Sequence, residues 1–118
     1  MKYMLLLYAD ESKAPKTPEE QQAVAPAWYA LAKELEAAGV LLSNNGLDPI
    51  TSATTVRLKE GKAVVTDGPF AKTHEQLGGY YLVDCKNLDE AIRWAEKIPT
   101  AKYGSVEVRP LNQWSQKA

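Results

Sequence analysis

The residues best suited to chemistry lie in one stretch, Val64 to Tyr81, which reads VVTDGPFAKTHEQLGGYY. Asp67 could serve as a general acid or base, or hold a ligand by hydrogen bonds. It also opens an Asp-Gly-Pro turn, where its carboxylate can cap nearby amides while glycine supplies unusual dihedrals and proline fixes φ. His74 is the one histidine of the chain. Its unperturbed pKa near neutrality suits proton transfer, and plain solvation in a polar loop is the alternative. Phe70 and Glu75 share that loop and are candidate ligand contacts; Glu75 adjoins His74, although neighbours in sequence seldom face one another. Tyr8 and Asp10 close an apolar strand and could line the same pocket, with core packing equally suited to Tyr8. Tyr103, in the turn before the last strand, completes the set of candidate ligand contacts.

Several other chemistries find no pattern here. Asp10, Asp67 and His74 include metal-ligand types, but their spacing matches no metal motif. Gly78-Gly79 lacks the lysine and following helix of a phosphate loop. The single Cys85, His74 and the serines form no nucleophile pattern, and Cys85 reads as a small buried hydrophobe. No cofactor is expected.

The elements that must position these residues can be read in order. Tyr3–Ala9 (YMLLLYA) is apolar on both faces, the mark of a central strand covered on both sides. Thr17-Pro18-Glu19-Glu20 starts a helix with cap, proline and capping-box glutamate in place. Val24, Trp28, Leu31, Leu35 and Ala38 form its apolar stripe, Pro26 should kink or split it, and Gly39 ends it. A strand begins at Val40–Leu42, and residues 43–52 are turn-rich. Thr54–Lys59 and Lys62–Thr66 flank Glu60-Gly61 as a hairpin. Gly79–Cys85 is a further strand. Asn87 then caps a helix with Leu88, Ala91, Ile92, Ala95 and Ile98 on its apolar face, stopped by Pro99. Ser105–Arg109 alternates as a last strand. Residues 113–118 read as a frayed tail to a single domain spanning 1–112.

The order β-α-β-(hairpin)-β-α-β predicts an α+β ferredoxin-like sandwich with an antiparallel sheet, two helices on one face and an extra β-hairpin. Following strand directions, residues 8–10, the start of the first helix, 43–52, 67–78 and 99–104 meet at one edge of the sheet. That clustering is the argument for a pocket. The first strand and Gly79–Cys85 are apolar on both faces, yet helices cover only one, so a homodimer is expected. A formal charge of −1 on 118 residues, with both signs interspersed, gives no basic stripe for nucleic acid. The apolar run near Met1 is too short for a membrane span and lacks a cleavage pattern, which predicts a cytoplasmic protein without membrane partners.

TDGPFAKTHEQLGGYYLVD, together with KYMLLLYAD, AAGVLLSNNGLDP and GSVEVRPL, resembles the YCII-related family in its D-G-P-F subgroup, over nearly the whole chain. The resemblance implies a ferredoxin-like fold of the dimeric α/β-barrel type. Its members are described as uncharacterised or putative enzymes, some encoded with extracytoplasmic-function sigma factors. Where the subgroup's pattern reads D-G-P-F-A-E-T-K-E, this chain has Lys72 for Glu and His74 for Lys, while Asp67 and Glu75 match. Other branches carry a first-helix histidine suspected to pair with an aspartate; here that stretch offers Trp28 or Tyr29 and no histidine. The sequence therefore predicts a small cofactor-independent enzyme acting by acid/base chemistry, with Asp67 and His74 as catalytic candidates, Asp67 transferring a proton while Tyr8 and His74 fix the ligand. The alternative is a non-catalytic ligand-binding or regulatory module, linked in some members to sigma-factor control.

Overall fold

The computed structural model describes residues 1–117. It is a mixed α+β architecture built on two antiparallel sheets. The main sheet comprises β1 (Lys2–Ala9), β2 (Leu41–Gly46), β5 (Gln76–Asp84) and β6 (Ser105–Pro110), in the order β2-β5-β1-β6. The second is a two-stranded hairpin of β3 (Thr54–Lys59) and β4 (Lys62–Asp67). Among the described residues the strands close no barrel.

The continuous apolarity of β1 places it between β5 and β6, as expected of a central strand. Its residues Tyr3, Leu5 and Leu7 face α1 (Pro18–Ala38) and α2 (Leu88–Lys97), and pack in one buried cluster with Leu31, Leu35, Val83, Ala91, Ala95 and Ile98. Met4, Leu6 and Tyr8 alternate to the other face and are half-buried. There Leu82 stands opposite Met4, and Tyr80 opposite Leu6.

The helix starts follow their capping chemistry. The Thr17 hydroxyl accepts the Glu20 N–H at 3.1 Å, and the Asn87 side chain accepts the Glu90 N–H at 3.0 Å. Gly39 ends α1 in the left-handed conformation, φ +67°. Pro26 lies inside an unbroken helix rather than splitting it. It occupies an exposed position, so the carbonyl that loses its N–H partner can be hydrated.

Three expectations change in detail. β5 begins at Gln76, three residues before the expected Gly79, because Gln76 and Leu77 pair with Ala9 and Tyr8 across a bulge. Leu88 and Ile92, expected on the buried face of α2, are exposed, and its buried residues are Ala91 and Ala95, with Trp94 packed half-buried against the core. Gln113–Gln116, read as frayed, forms a short helix α3. The Gln116 amide donates to the carbonyls of Lys2 and Leu111 at 2.8 and 3.0 Å, which holds α3 to the start of β1. No helix among the described residues is long and apolar enough to cross a membrane.

Candidate functional site

The apolar stripe of α1 is buried only in its second half, at Leu31 and Leu35. Val24 and Trp28 are half-buried, so the first half stands away from the sheet and leaves room beneath it. A cavity of about 650 Å³ opens there, at the edge where β1 ends. Its apolar wall includes Leu7, Pro15, Trp28, Leu47, Pro49 and Tyr103. The bulge sets its floor: Leu7 pairs with Gly79 and Tyr8 with Leu77, which leaves Gly78 as the extra residue, on the cavity wall. Bulges that re-aim a strand end beside a binding site are a recurring device.

The acidic groups on the wall are committed to holding the rim. Asp10 caps the short 3-10 turn Glu11–Lys13, accepting from the Ser12 N–H at 2.9 Å and the Ser12 hydroxyl at 2.7 Å. These two bonds, the hydroxyl's first, hold the Asp10 carboxyl below its usual range. Both carboxylate oxygens of Glu11 accept the Ile50 N–H, at 3.2 and 3.1 Å. The Glu11 N–H donates to the Gln76 side-chain oxygen at 2.8 Å, while the Gln76 amide donates to the Thr73 and His74 carbonyls at 2.6 and 3.3 Å. Glu11 and Gln76 thus tie three loops together at the mouth.

Four polar groups on the wall make no side-chain hydrogen bond among the described residues: the Tyr103 hydroxyl, the Trp28 indole N–H, Thr100 and Lys16. Thr100, on the 3-10 turn Pro99–Lys102, is only 5% exposed and lines the cavity. Its hydroxyl makes no hydrogen bond among the described residues, and it is not sealed from solvent. The Lys16 ammonium likewise has no partner among them. An aromatic and aliphatic wall with open hydroxyls and one cation suits a planar apolar molecule with an acceptor or anionic end.

Of the residues singled out in the sequence, the cavity wall brings together Asp10 and Tyr103. His74 is exposed, and its carbonyl accepts the Gln76 amide at 3.3 Å, which holds its backbone beside the mouth. Glu75 accepts the Ser105 hydroxyl at 2.8 Å and fastens its loop to the start of β6. Tyr8 falls on the opposite face of the sheet, facing away from the cavity. Asp67 ends β4 opposite Thr54, exposed, and its carboxylate makes no hydrogen bond or ion pair among the described residues. Phe70 is 78% exposed. Neither of these two lines the cavity. Sequence reasoning assigned Trp28 to the core and passed over Thr100, Gln76 and Leu47. Trp28 could have been found by asking which end of the helix stripe outruns the sheet; nothing in the sequence marks Thr100. Among the described residues, no three His, Cys, Asp or Glu side chains are grouped so as to hold a metal ion.

Two comparisons bear on this arrangement. An uncharacterised protein of Rhizobium meliloti (strain 1021) is 43% identical over 114 residues, covering 94% of this chain and 92% of that protein. The profile of the YCII-related domain matches residues 1–115. The cavity wall, the Asp67–Phe70 turn and the uncovered sheet face all fall within that span, and the chain belongs to the YCII-related domain family.

Proposed function

We propose that this chain binds a small planar organic acid, or an uncharged analogue with an acceptor group, in the cavity beneath the first half of α1. One observation carries the reading. Thr100 is almost wholly buried on the wall of an apolar cavity while its hydroxyl has no partner. That oxygen keeps contact with solvent, so a ligand group placed there exchanges a water bond for a direct one inside an apolar wall, worth about 0.5–1.5 kcal/mol. Trp28 and Tyr103 supply flat apolar surface, and Lys16 supplies charge at the mouth. The strand order β2-β5-β1-β6 with α1 and α2 on one face supports a ferredoxin-like sandwich. The half-buried Met4, Leu6, Tyr80 and Leu82 on the other face support a homodimer that pairs the two sheets. The Asp67-Gly68-Pro69-Phe70 turn supports placement in the D-G-P-F branch.

A second reading makes the same site catalytic. It draws on Gln76, whose side chain bonds both the His74 carbonyl and the Glu11 N–H and so brings the His74 and Asp10–Glu11 loops together at the mouth. In that reading His74 exchanges a proton with the bound molecule, and Asp10 stabilises the imidazolium. The binding reading is preferred because the cavity's carboxylates are already engaged by backbone and hydroxyl donors.

The test is calorimetric titration with 2-naphthoate and its methyl ester. Thr100→Val keeps the side-chain shape and should weaken binding about 5–10-fold, the worth of one hydrogen bond. Trp28→Ala should weaken it further. Unchanged affinity in both variants would show that the cavity is not the site.

A further inference from the structure

The β3–β4 hairpin is an amphipathic element whose apolar face has nothing to pack on. In its register Val56 stands opposite Val65 and Leu58 opposite Ala63, while Thr55 faces Thr66 and Lys59 faces Lys62. Directly opposed residues share a face. One face therefore carries Val56, Leu58, Ala63 and Val65, with Thr54 and Asp67 at its root, and the other carries Thr55, Arg57, Lys59, Lys62 and Thr66 with Val64 among them. The apolar face is open: Val56 is 61% exposed, Leu58 77% and Val65 63%. An isolated two-stranded hairpin is marginal in water unless it packs on something. Within the chain it is anchored at its root, where the Gly68 N–H donates to the Ala53 carbonyl at 2.7 Å and the Thr55 hydroxyl to the Gly68 carbonyl at 2.8 Å.

The amount of open surface indicates what covers it. A compact monomer of 13.0 kDa exposes about 6,300 Å². This chain exposes 8586 Å², an excess of roughly 2,200 Å² over that scaling. Its radius of gyration is 16.3 Å, against about 13.5 Å for a compact chain of this length. An ordinary dimer hides about 800 Å² per partner and an obligate one more, so the excess matches the contribution of each protomer to an obligate interface. The chain also leaves Met4, Leu6, Tyr80 and Leu82 only half-buried on its sheet. A two-fold pair of identical copies would cover both surfaces at once, each made of the same residues on either side.

We infer that the β3–β4 hairpin is a clasp whose apolar face, Val56, Leu58, Ala63 and Val65, closes over a second copy of this chain. The inference rests on the homodimer proposed above and assigns a separate part of it. The clasp springs from the cavity rim, since Leu47, Pro49 and Gln76 lie on either side of its root and line the cavity. It does not depend on what the cavity binds.

Two measurements test it. Hydrogen exchange on the unaltered protein reads the amides of residues 54–67 at high and low concentration. Sedimentation equilibrium then compares that protein with a variant in which an Asn-Gly turn replaces residues 54–67 and joins Ala53 to Gly68. The expected result is a dimer with protected hairpin amides that lose protection on dilution, and a dissociation constant raised at least ~10²-fold in the shortened variant. A dimer whose hairpin amides exchange like unstructured chain, or a shortened variant that pairs equally tightly, would overturn the clasp while sparing the sheet-face dimer. A monomer at every concentration would overturn both. Should the shortened variant fail to fold, the exchange measurement decides alone.

Discussion

The two antiparallel sheets of this molecule share hydrogen-bonding chemistry but not support. β1 lies between two strands and under two helices, with Leu5 1% exposed. β3 and β4 have only each other, and every residue of β4 is exposed. Both pairs carry β-branched and leucine side chains at the spacing a half-buried strand requires. The difference teaches that a ladder fixes register while burial provides stability. A strand pair built for burial and found bare is therefore a statement about assembly. The cavity lies at the join: its wall draws on β1 and α1 from the supported region and on the loops that lead into the hairpin.

The sharpest way to break the comparison is to make one truncation in each region. Leu5→Ala should lower unfolding free energy by about 3 kcal/mol, because the cavity it leaves cannot collapse among Leu31, Leu35 and Val83. Leu58→Ala should cost less than about 0.5 kcal/mol at concentrations where the chain is alone. Chemical denaturation at several protein concentrations measures both. Equal costs in dilute protein would mean that the hairpin is packed within the single chain.

Glycines extend the contrast at a smaller scale. A Cβ on Gly104 would run into the Tyr8 carbonyl and lie 3.1 Å from the Ala9 Cα, both backbone atoms of the central strand. Gly104→Ala should cost about 2 kcal/mol through overpacking. Gly61 turns the hairpin at φ +80° with nothing within 4 Å. Gly61→Ala should cost about 1 kcal/mol of dihedral strain alone. Thermal midpoints of the two variants rank them.

The two sheets also differ at their strand ends, where Cys85 is buried and Asp67 exposed. Burial first, then the Glu90 and Asp84 carboxylates, push the Cys85 thiol up from 9.0 to about 11. The unfolded chain therefore loses this proton before the folded one does. Stability from this group is intact below pH 9 and declines as pH rises toward 11. Cys85→Ala should flatten that part of the curve, read by urea midpoints across the range; an unchanged slope would remove Cys85 as its cause. Asp67, at the end of the bare hairpin, is the smallest effect. Asp67→Asn should change stability by less than about 0.5 kcal/mol, since the carboxylate is exposed and makes no hydrogen bond or ion pair among the described residues. A loss above 1 kcal/mol would show that the carboxylate has a partner in the assembled protein.

Legibility in the sequence followed the range of the interactions. The hairpin ends at Lys59 and Lys62 were readable because Glu60-Gly61 is a local turn signal, and both helix starts because Thr17 and Asn87 bond residues three positions on. Gln76–Gly78 read as the end of a loop because its strand character comes from pairing with β1 and β2. Helix α3 was unreadable because Gln116 is held by Lys2 at the far end of the chain. The meeting of loops at one edge of the sheet followed from strand direction alone, and the cavity lies there. Its wall was not readable in detail. Asp67 drew attention by the chemistry of its turn, whereas Thr100 gains meaning only when a 3-10 turn carries it onto the wall.

Nature supplied three tryptophans as reporters: Trp28 on the cavity wall, Trp94 against the core, and Trp114, 85% exposed, beside a separate groove next to α3. Their indole N–H resonances, followed by NMR during titration with 2-naphthoate, test the binding site directly. The account predicts that the Trp28 signal moves saturably while Trp94 and Trp114 stay in place. Movement of Trp114 with Trp28 fixed would contradict it.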